Sequence, residues 1–440
     1  MKCDICSSEN LVKFLNLGLH PPPLNFLINE NDKEEKFPLE VYFCKSCGLV
    51  QLGNDVDPNI MFKEYLYTSG VSLAFKKHLE LFAKMLIERF KLTSSELVID
   101  IASNDGTLLS FFSTRSIQVL GVEPSTTAKI AEENNVKIGF EASVAGGIPI
   151  ISTLKRSFKG IKINKITGIL NGTSNFILTN MLEEKNEFKT SLKKAQRLGY
   201  AERQPENDLN GLDTLHKILI LSGIAFNKQI DLNKVVYSGI DNLTKADVFF
   251  ADRLGFKIKL LGIGCFENNK IKLIVAPFLI SKKKELSNVN NNLNAIIIDA
   301  NKNNKTILIG EGAGGDPTSI SVVSDLVNLN NNNENEFMYG NTYKRLKKTN
   351  PSNYFLNNNS FFIRAKIYDK PGAIAAISTI LKNFSISIKS LFQEQTNKKF
   401  FNVVILTHKC KKKSMDSATV KLDACHFVKE KTVIMQVLHV

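Results

Sequence analysis

The chain has 440 residues and a net charge of +14, because 57 lysine and arginine residues exceed 43 aspartate and glutamate residues. Its length suits two to four domains of roughly 100–200 residues each, and a composition of 43% hydrophobic and 23% charged residues excludes a wholly disordered chain. The basic residues form no stripe with interleaved aromatic rings, no apolar run approaches the roughly 20 residues that cross a bilayer, and the first residues lack the apolar segment of a signal peptide. We therefore expect a cytoplasmic protein that binds neither nucleic acid nor a membrane.

Two Cys-x-x-Cys pairs stand near the start of the chain, in a segment that is otherwise predicted to be rich in loops. Each pair can direct two thiolates toward one ion, and four sulfurs at about 2.3 Å complete a tetrahedral zinc site. Zinc would also stabilise a segment that has too little regular structure to build its own core. We therefore predict a structural zinc-binding domain over residues 1–60, with His20 as a packed loop residue and with the ligands Cys3, Cys6, Cys44 and Cys47.

An alternating α/β unit is predicted next, over residues 61–137. Its elements in chain order are a helix at 72–92, strands at 96–100 and 118–122 with a helix from Thr107 between them, a helix at 126–134 and a strand at 136–141. Small residues after the first strand let a ligand approach the backbone and the free N–H groups of the next helix. An acid after the second strand can accept ribose hydrogen bonds. Such a site would contain Asp100, Ser103, Gly106 and Glu123; an ordinary strand–helix turn is the less favoured alternative.

Several short motifs in this first part occur together: the cysteine pairs, His20-Pro21-Pro22, Tyr65-Leu66-Tyr67-Thr68-Ser69, the turn from Ser103 to Leu109, and Gly121-Val122-Glu123-Pro124-Ser125. Together they resemble the sugar C-methyltransferases that use S-adenosylmethionine. The resemblance covers about 1–135 and then stops, before that family's further strands and catalytic segment. It implies a truncated Rossmann-like unit, which would bind S-adenosylmethionine only if this remnant of the site still functions.

The middle of the chain, residues 138–328, mixes strands and helices. Helices are predicted at 174–184, 187–198 and 210–225, and strands at 257–265, 271–280 and 305–309. A short strand at 166–170 leads into the first of these helices, which Thr173 or Ser174 can cap. An Asn-rich linker is predicted at 329–359.

One helix of this region carries charges on an otherwise apolar surface. Asp213 and Lys217 are four residues apart and share a face, while leucine and isoleucine occupy nearly every other position from 212 to 221. A helix of that kind is buried, and buried charges are costly unless they are paired or functional. We therefore interpret this face as functional, with the lysine as a general acid toward a carbonyl oxygen; a surface ion pair is the alternative.

Three separated segments, Phe140–Ile150, Ile166–Phe176 and Ala195–Lys217, resemble homoserine dehydrogenase, and the match runs from about 138 to 328. The resemblance implies that Lys217 donates a proton to the aldehyde oxygen of aspartate semialdehyde. It places Asp213 and Asp208 in support of the lysine and the substrate, and Glu202 at the substrate amino group. The remaining residues that it implies are Glu141, Val144, Gly146 and Ile148 at a monovalent cation, and Asn171, Gly172, Thr173 and Gly314 at the NAD(P) cofactor.

The last part, residues 360–440, is predicted to begin with a strand at 361–368, a helix at 373–383 after Pro371-Gly372, and strands at 386–393 and 400–407. This order fits a ferredoxin-like domain. With Asp369-Lys370-Pro371-Gly372-Ala373 and Ile386-Ser387-Ile388, it resembles the amino-acid-binding ACT module. That resemblance implies threonine as an effector and a homo-oligomer; the residues after about 411 are less typical, so the final strand is not predicted.

The Gly-x-Gly-x-x-Gly turn with which homoserine dehydrogenases hold the dinucleotide pyrophosphate is absent near the N-terminus. We therefore interpret the chain as a chimera joined within 128–137, whether by recombination or in sequence assembly, with a multidomain α/β and α+β fold. Three functions remain open. They are an NAD(P)-dependent homoserine dehydrogenase of threonine and methionine biosynthesis, active or inactivated by the replaced domain; a methyltransferase fragment; and a non-catalytic protein that binds zinc and an amino acid.

Overall fold

The computed structural model describes residues 1–21, 36–54, 56, 69–101, 103–122, 137–202, 205–268, 270–301, 304–329, 347–353, 358–397 and 399–438. The predicted helix at 126–134, Glu123 and most of the 65–69 motif lie outside these residues. The chain divides into two compact units, the first containing Met1–Phe140 and the second containing Glu141–Val327 with the C-terminal part. None of the helices in the described ranges is long and apolar enough to span a membrane.

The first unit begins with a three-stranded antiparallel sheet in the order β1-β2-β3, formed by Leu11–His20, Phe37–Cys44 and Val50–Leu52. The sequence predicted loops here. The prediction missed the sheet because its strands bury little: every residue of β1 after Leu11 is exposed. Backbone hydrogen bonds rather than a buried apolar face define these strands, so their pattern carries no core signal.

The second part of this unit is a helix followed by a small parallel sheet. Helix α1 (Leu73–Phe90) is capped by Ser72, whose hydroxyl accepts the N–H of Phe75 at 3.3 Å. The following elements are β4 (Leu97–Ile101), α2 (Thr107–Ser113), β5 (Gln118–Val122) and β6 (Lys137–Ile138), with the strands in the order β4-β5-β6. The predicted third strand at 136–141 was too long, because Glu141–Ser143 already forms a 3₁₀ turn.

The second unit is built on one large sheet. The middle of the chain contributes five of its main strands: β7 (Ile163–Ile169), β9 (Phe256–Glu267), β10 (Lys270–Ser281), β11 (Leu293–Ala300) and β12 (Asn304–Glu311). They lie in the order β12-β11-β7-β9-β10. Short strands lie beside them: β8 (Lys228–Ile230), β13 (Lys347–Thr349) and β14 (Ser352–Asn353). Alternating buried residues, such as Ile263, Phe278 and Ile297, form the core of this part.

The helices of the middle region are α3 (Ile150–Ser152), extended by a π-helical turn at Thr153–Ser157, then α4 (Gly172–Glu183), α5 (Phe188–Arg197), α6 (Glu206–Asn210), α7 (Leu212–Phe226), α8 (Lys245–Arg253) and α9 (Gly315–Leu329). The predicted helix at 210–225 is therefore preceded by a separate short helix. Gly211 lies between the two with φ +89°, a left-handed conformation that ends α6 and favours glycine.

The C-terminal part contains β15 (Asn358–Asn359), β16 (Phe361–Tyr368), α10 (Ala373–Asn383), β17 (Ile388–Asn397), β18 (Phe400–Thr407), β19 (Cys410–Lys411), α11 (Lys412–Asp423) and β20 (Val433–Leu438). Three of its predicted elements match the structure residue for residue, and the unpredicted final strand is β20. This strand pairs in parallel with β10 and in antiparallel fashion with β16. The two parts of the second unit thus share one continuous sheet.

Candidate active site

A cavity of about 390 Å³ lies in the second unit, where the N-terminus of α4 meets α6, α7 and the segment before α9. It brings together eight residues that the sequence had singled out from four separate segments: Asn171, Gly172, Thr173, Glu202, Asp208, Asp213, Lys217 and Gly314. The size is ordinary for a small-molecule site. Residues that are far apart in the sequence, from Asn171 to Gly314, therefore line one cavity.

Asn171 lies at the centre of the polar groups in this cavity. Its amide Nδ2 donates to Asp208 Oδ1 at 2.7 Å and to Asp213 Oδ2 at 2.8 Å. Its Oδ1 accepts the N–H of Ser174 at 2.8 Å, which makes Asn171 the N-cap of α4. The predicted caps, Thr173 and Ser174, are wrong because the helix begins earlier, at Gly172. The Asn171 side chain thus caps α4 and also holds the carboxylates of Asp208 and Asp213 in place.

Lys217 and Asp213 form an ion pair at 2.8 Å on the cavity wall, and their side chains are 20% and 28% exposed. Neither points away into open solvent, because both line the cavity. The other face of α7 is buried through Leu215, Ile218 and Leu221. The prediction that this helix is largely buried is therefore confirmed, and its charged pair lies on the cavity wall.

Asp208 is the second carboxylate beside this pair. Burial raises its pKa, and the charge of Asp213 raises it further, while the Asn171 amide acts in the opposite direction. Two carboxylates against one ammonium leave an excess of one formal negative charge, and Glu202 on the cavity rim adds a second. A polar substrate with an amino group could replace part of this network.

The opposite wall of the cavity is backbone. Gly312, Ala313 and Gly314 line it just before α9 begins at Gly315. Gly314 has φ +134°, a conformation that an L side chain rarely adopts. Small residues and the free N–H groups of a helix N-terminus suit the close approach of a cofactor amide or phosphate.

The remaining predicted contacts are Thr173 and Glu202. Thr173 donates its hydroxyl to the carbonyl of Tyr200 at 2.5 Å, which ties α4 to the 198–202 segment of the cavity rim. Glu202 lines the cavity with an exposed side chain. A carboxylate at that position can reach a substrate amino group from the solvent side.

The residues predicted to hold a monovalent cation lie outside this cavity's lining. The Glu141 carboxylate accepts the N–H groups of Ile151 and Ser152, each at 2.7 Å, and so caps α3. The Gly146 carbonyl accepts the Ser321 hydroxyl at 2.5 Å, and the Ile148 carbonyl accepts the Ile150 N–H at 2.7 Å. These groups already take part in local hydrogen bonds, while Val144 is fully buried beside them.

The predicted nucleoside site of the first unit is described only in part. Ser103 is 5% exposed, and its hydroxyl has no hydrogen-bond partner among the described residues. Gly106 caps α2 with φ +74°, and Asp105 on the same turn accepts the Thr107 N–H at 3.0 Å. Asp100 lies one residue before the end of the preceding strand and has other contacts of its own. These residues form a hydrogen-bonded turn between β4 and α2.

The four cysteines of the first unit converge on one point. All four sulfurs lie within 4.8 Å of one another, with Cys3 to Cys47 at 3.5 Å and Cys6 to Cys44 at 3.6 Å. Zn–S bonds of about 2.3 Å imply a tetrahedron edge of about 3.8 Å, so the thiol set fits zinc. Burial would raise the pKa of Cys44, but the backbone N–H groups of Cys47 and Ser46 outweigh it and lower that pKa to about 6.

A buried lysine near the cavity was missed by the sequence analysis. Lys259 is 2% exposed and donates from Nζ to Asn175 Oδ1 at 2.9 Å and to the Val289 carbonyl at 2.5 Å. Burial lowers its pKa to about 7. It ties β9 to α4 and to the segment that carries Asn292 into the cavity lining. Little in the sequence pointed to it, because Lys257 stands two residues earlier in the same strand and is not buried.

Comparison with known proteins identifies two parts of the chain. Residues 149–327 match the family model described as homoserine dehydrogenase, and residues 3–62 match one described as "Putative zinc binding domain". The homoserine dehydrogenase of Bacillus subtilis is 37% identical over 302 residues, covering 67% of this chain and 69% of that protein. The enzyme of Pseudomonas aeruginosa is 35% identical with the same coverage.

Solved structures agree with these relatives. A homoserine dehydrogenase from Thiobacillus denitrificans superposes with a TM-score of 0.67 and 31% identity, covering 78% of this chain and 82% of that one. The S. aureus homoserine dehydrogenase at pH 7.5 gives a TM-score of 0.57 at 29% identity, with 82% and 84% covered. The family-model match at 149–327 includes every residue that lines the cavity. The chain belongs to the homoserine dehydrogenase family.

Proposed function

We propose that the second unit interconverts aspartate semialdehyde and homoserine with NAD(P), and that Lys217 is the acid–base residue. The observation that carries this proposal is the Lys217–Asp213 pair, fixed by Asn171 on the wall of a small-molecule cavity. When bound, NAD(P)H supplies the hydride for the aldehyde carbon. Lys217 gives its proton to the aldehyde oxygen as that oxygen becomes a hydroxyl, and it takes the proton back in the reverse direction.

The other residues of the cavity take supporting roles in this proposal. Asp213 keeps Lys217 charged and oriented, and Asp208 with Glu202 binds the substrate ammonium. Asn171, Gly172, Thr173 and Gly314 face the nicotinamide end of the cofactor. Glu141 with the carbonyls of Val144, Gly146 and Ile148 is retained as a candidate monovalent-cation site, which requires the local hydrogen bonds of these groups to rearrange.

The residues present fit one end of the dinucleotide. The glycine wall at 312–314 and the N-terminus of α9 can approach a nicotinamide amide closely. No Gly-x-Gly-x-x-Gly turn for the pyrophosphate follows a strand in the N-terminal part of the sequence; the one match to this pattern, Gly310–Gly315, is the segment that already lines the cavity. We therefore expect the second unit to bind substrate well and the dinucleotide weakly, with turnover correspondingly slow.

We further propose that the C-terminal part is an ACT-type module that senses threonine. Its four strands are ordered β20-β16-β18-β17, with α10 and α11 completing a β-α-β-β-α-β arrangement. That order is the one expected for a ferredoxin-like fold. The cysteine cluster of the first unit is proposed to hold structural zinc, because all four tetrahedral positions would be filled by protein sulfurs.

The test of the catalytic proposal is NADPH oxidation by the full chain in the presence of aspartate semialdehyde. Replacing Lys217 by methionine should lower kcat by about 10²–10⁴, the usual contribution of a general acid. The matched control is Lys194→Met, because Lys194 pairs with Glu184 away from the cavity. Equal activity of the two variants would refute the role given to Lys217. Methyl transfer to a nucleotide sugar by the same preparation would instead support the methyltransferase alternative.

A further inference from the structure

Residues 289–293, which lead into β11, form part of the wall of the candidate active-site cavity. Asn292 of this segment lines the cavity together with Asn171 and Gly172. Its backbone lies directly against the start of α4, because a Cβ added to Gly172 would lie only 2.8 Å from the Asn292 carbonyl oxygen. A displacement of the 289–293 segment would therefore change the shape of the cavity where α4 begins.

One face of α4 holds this segment by side-chain hydrogen bonds. The Asn175 amide donates from Nδ2 to the Val289 carbonyl at 3.0 Å and to the Leu293 carbonyl at 3.1 Å. One turn further along the helix, the Thr179 hydroxyl oxygen accepts the Asn291 N–H at 3.1 Å. The segment is thus attached at both ends and in the middle, and its cavity-lining residue lies between two of these attachments.

Lys259 of β9 attaches the same segment through its ammonium group. Nζ donates to the Val289 carbonyl at 2.5 Å, to Asn175 Oδ1 at 2.9 Å and, over a longer distance of 3.4 Å, to Asn290 Oδ1. An ammonium has three N–H groups, one for each of these acceptors, whereas a neutral amine has two. Loss of the proton therefore removes at least one hydrogen bond that β9 makes to the segment or to α4.

The surroundings of this ammonium favour loss of its proton. Lys259 is 2% exposed, and burial lowers its pKa to about 7. Lys257 on the same strand lowers the pKa further, and Glu183 at the end of α4 acts in the opposite direction. The side chains of the 289–293 segment are uncharged and offer no carboxylate to balance the ammonium. Both protonation states of Lys259 are therefore populated near neutral pH.

We propose that Lys259 is a positioning residue for substrate binding: its ammonium holds the 289–293 segment where Asn292 completes the cavity wall, and loss of the proton weakens that hold. Lys259 lies outside the described lining of the cavity, so it acts on the substrate through this segment. The effect falls on substrate affinity, because the ammonium of Lys217 is held separately by its own ion pair. The proposal rests on the proposed function in taking L-homoserine as the ligand, but the state of the segment is measurable without any ligand.

The first test is hydrogen exchange with mass spectrometry on the full chain without ligand, at about pH 6, where Lys259 is charged. Lys259→Met removes the three donors and keeps most of the side-chain volume, so the peptides that cover 289–293 should exchange about tenfold faster. Lys257→Met, on the same strand but at a partly exposed position, should leave that exchange unchanged. The Lys270–Ser281 strand should stay protected in all three proteins, which shows that they are folded. Equal exchange of 289–293 in Lys259→Met and in the unmodified protein would overturn the proposal.

A second measurement needs no variant and covers the case in which Lys259→Met does not fold. Between about pH 6 and about pH 8 the unmodified protein loses the Lys259 proton. Exchange of the 289–293 segment should therefore rise relative to exchange of the Lys270–Ser281 strand, which corrects for the direct effect of pH on amide exchange. A constant ratio of the two rates would contradict the proposal.

The third test is calorimetric titration of the full chain with L-homoserine, which links the segment to the substrate. Lys259→Met should weaken binding about tenfold at about pH 6 and much less at about pH 8, where the unmodified protein has also lost the ammonium. In an Asn292→Ala background, Lys259→Met should have no further effect.

Two outcomes of this titration would show that Lys259 has a merely structural role and would overturn the proposal. One is a loss of affinity in Lys259→Met that is the same at both pH values, and the other is a loss that persists in full in the Asn292→Ala background. If the unmodified protein binds no L-homoserine, the proposed function fails, while the exchange measurements still decide whether Lys259 holds the segment.

Discussion

The two units of this chain are stabilised in different ways. In the first, the strands around the cysteines expose most of their apolar residues, including Phe14, Leu17 and Leu19, and four thiols converge on one point. In the second, apolar strands form a continuous buried sheet, and ionised groups lie in cavities or in buried pairs. With zinc bound, a local motif would replace a core in the cysteine region, whereas the candidate active-site cavity depends on contacts between distant segments.

Removal of zinc should produce the largest difference between the units. Structural zinc supplies about 10–16 kcal/mol in small zinc peptides, so a strong chelator, or Cys44→Ser, should unfold the 1–54 region. The buried sheet of the second unit has no such dependence. Hydrogen exchange with mass spectrometry should show loss of protection in the Leu11–His20 strand, with the Phe256–Glu267 strand unchanged. Unchanged protection of both strands after chelation would contradict the proposed role of the metal.

A buried ion pair inside the second unit should give the next largest effect. Arg364 of β16 is 3% exposed and donates from Nε to Asp247 Oδ1 at 2.6 Å, which links the C-terminal part to α8. Arg364→Met would leave Asp247 buried and unpaired, at a cost of about 3–5 kcal/mol. The control is Lys366→Met, because Lys366 only approaches Glu430 in a partly exposed pair at 3.5 Å. Urea unfolding should separate the two variants clearly; similar midpoints would count against the link.

The pH dependence of stability should differ in sign between the units. In the second unit, burial, with a further contribution from the charge of Glu141, raises the pKa of Asp325 to about 6, although the Glu141 N–H acts against this. The unfolded carboxyl titrates near its ordinary value of about 3.9. The contribution of Asp325 to the stability of the folded protein is therefore largest below about pH 4, and it is lost as the pH rises through about 6.

Asp325→Asn should remove that loss and leave the second unit more stable than the unmodified protein by about 1–2 kcal/mol above pH 6, allowing for solvent screening. The difference should vanish near pH 4, as measured by urea unfolding at each pH. The zinc-dependent region should behave in the opposite way, because thiolate ligands are protonated and release the metal as the pH falls. If the Asp325→Asn variant and the unmodified protein have the same free energy of unfolding at every pH, the raised pKa of Asp325 is disproved.

The elements that the sequence predicted best are those whose ends are marked by turn residues close by in the sequence. Strands 361–368 and 400–407 and helix 373–383 match their predicted bounds, because Pro371-Gly372 and short turns delimit them. The first sheet was missed because its strands are not buried on either face. Final strand β20 was missed because both of its partners, β10 and β16, lie far from it in the sequence.

The candidate site was predictable to a similar extent. The charged face of α7 could be read from helical spacing, and it does line the cavity. The role of Asn171 could not be predicted, because it depends on the carboxylates of Asp208 and Asp213 lying close together in the fold. The contacts of Lys259 and the Arg364–Asp247 ion pair could not be predicted from the sequence either, because the partners belong to distant segments of the chain.

The most direct test of the central claim is calorimetric titration of the full chain with L-homoserine, whose binding does not require a dinucleotide-binding turn in the N-terminal part. The account predicts one binding site per chain, with affinity weakened at least tenfold by Glu202→Gln and unchanged by Glu187→Gln, an acid at the start of α5 that does not line the cavity. Absence of binding, or equal affinity in the two variants, would contradict the assignment of this cavity as the active site.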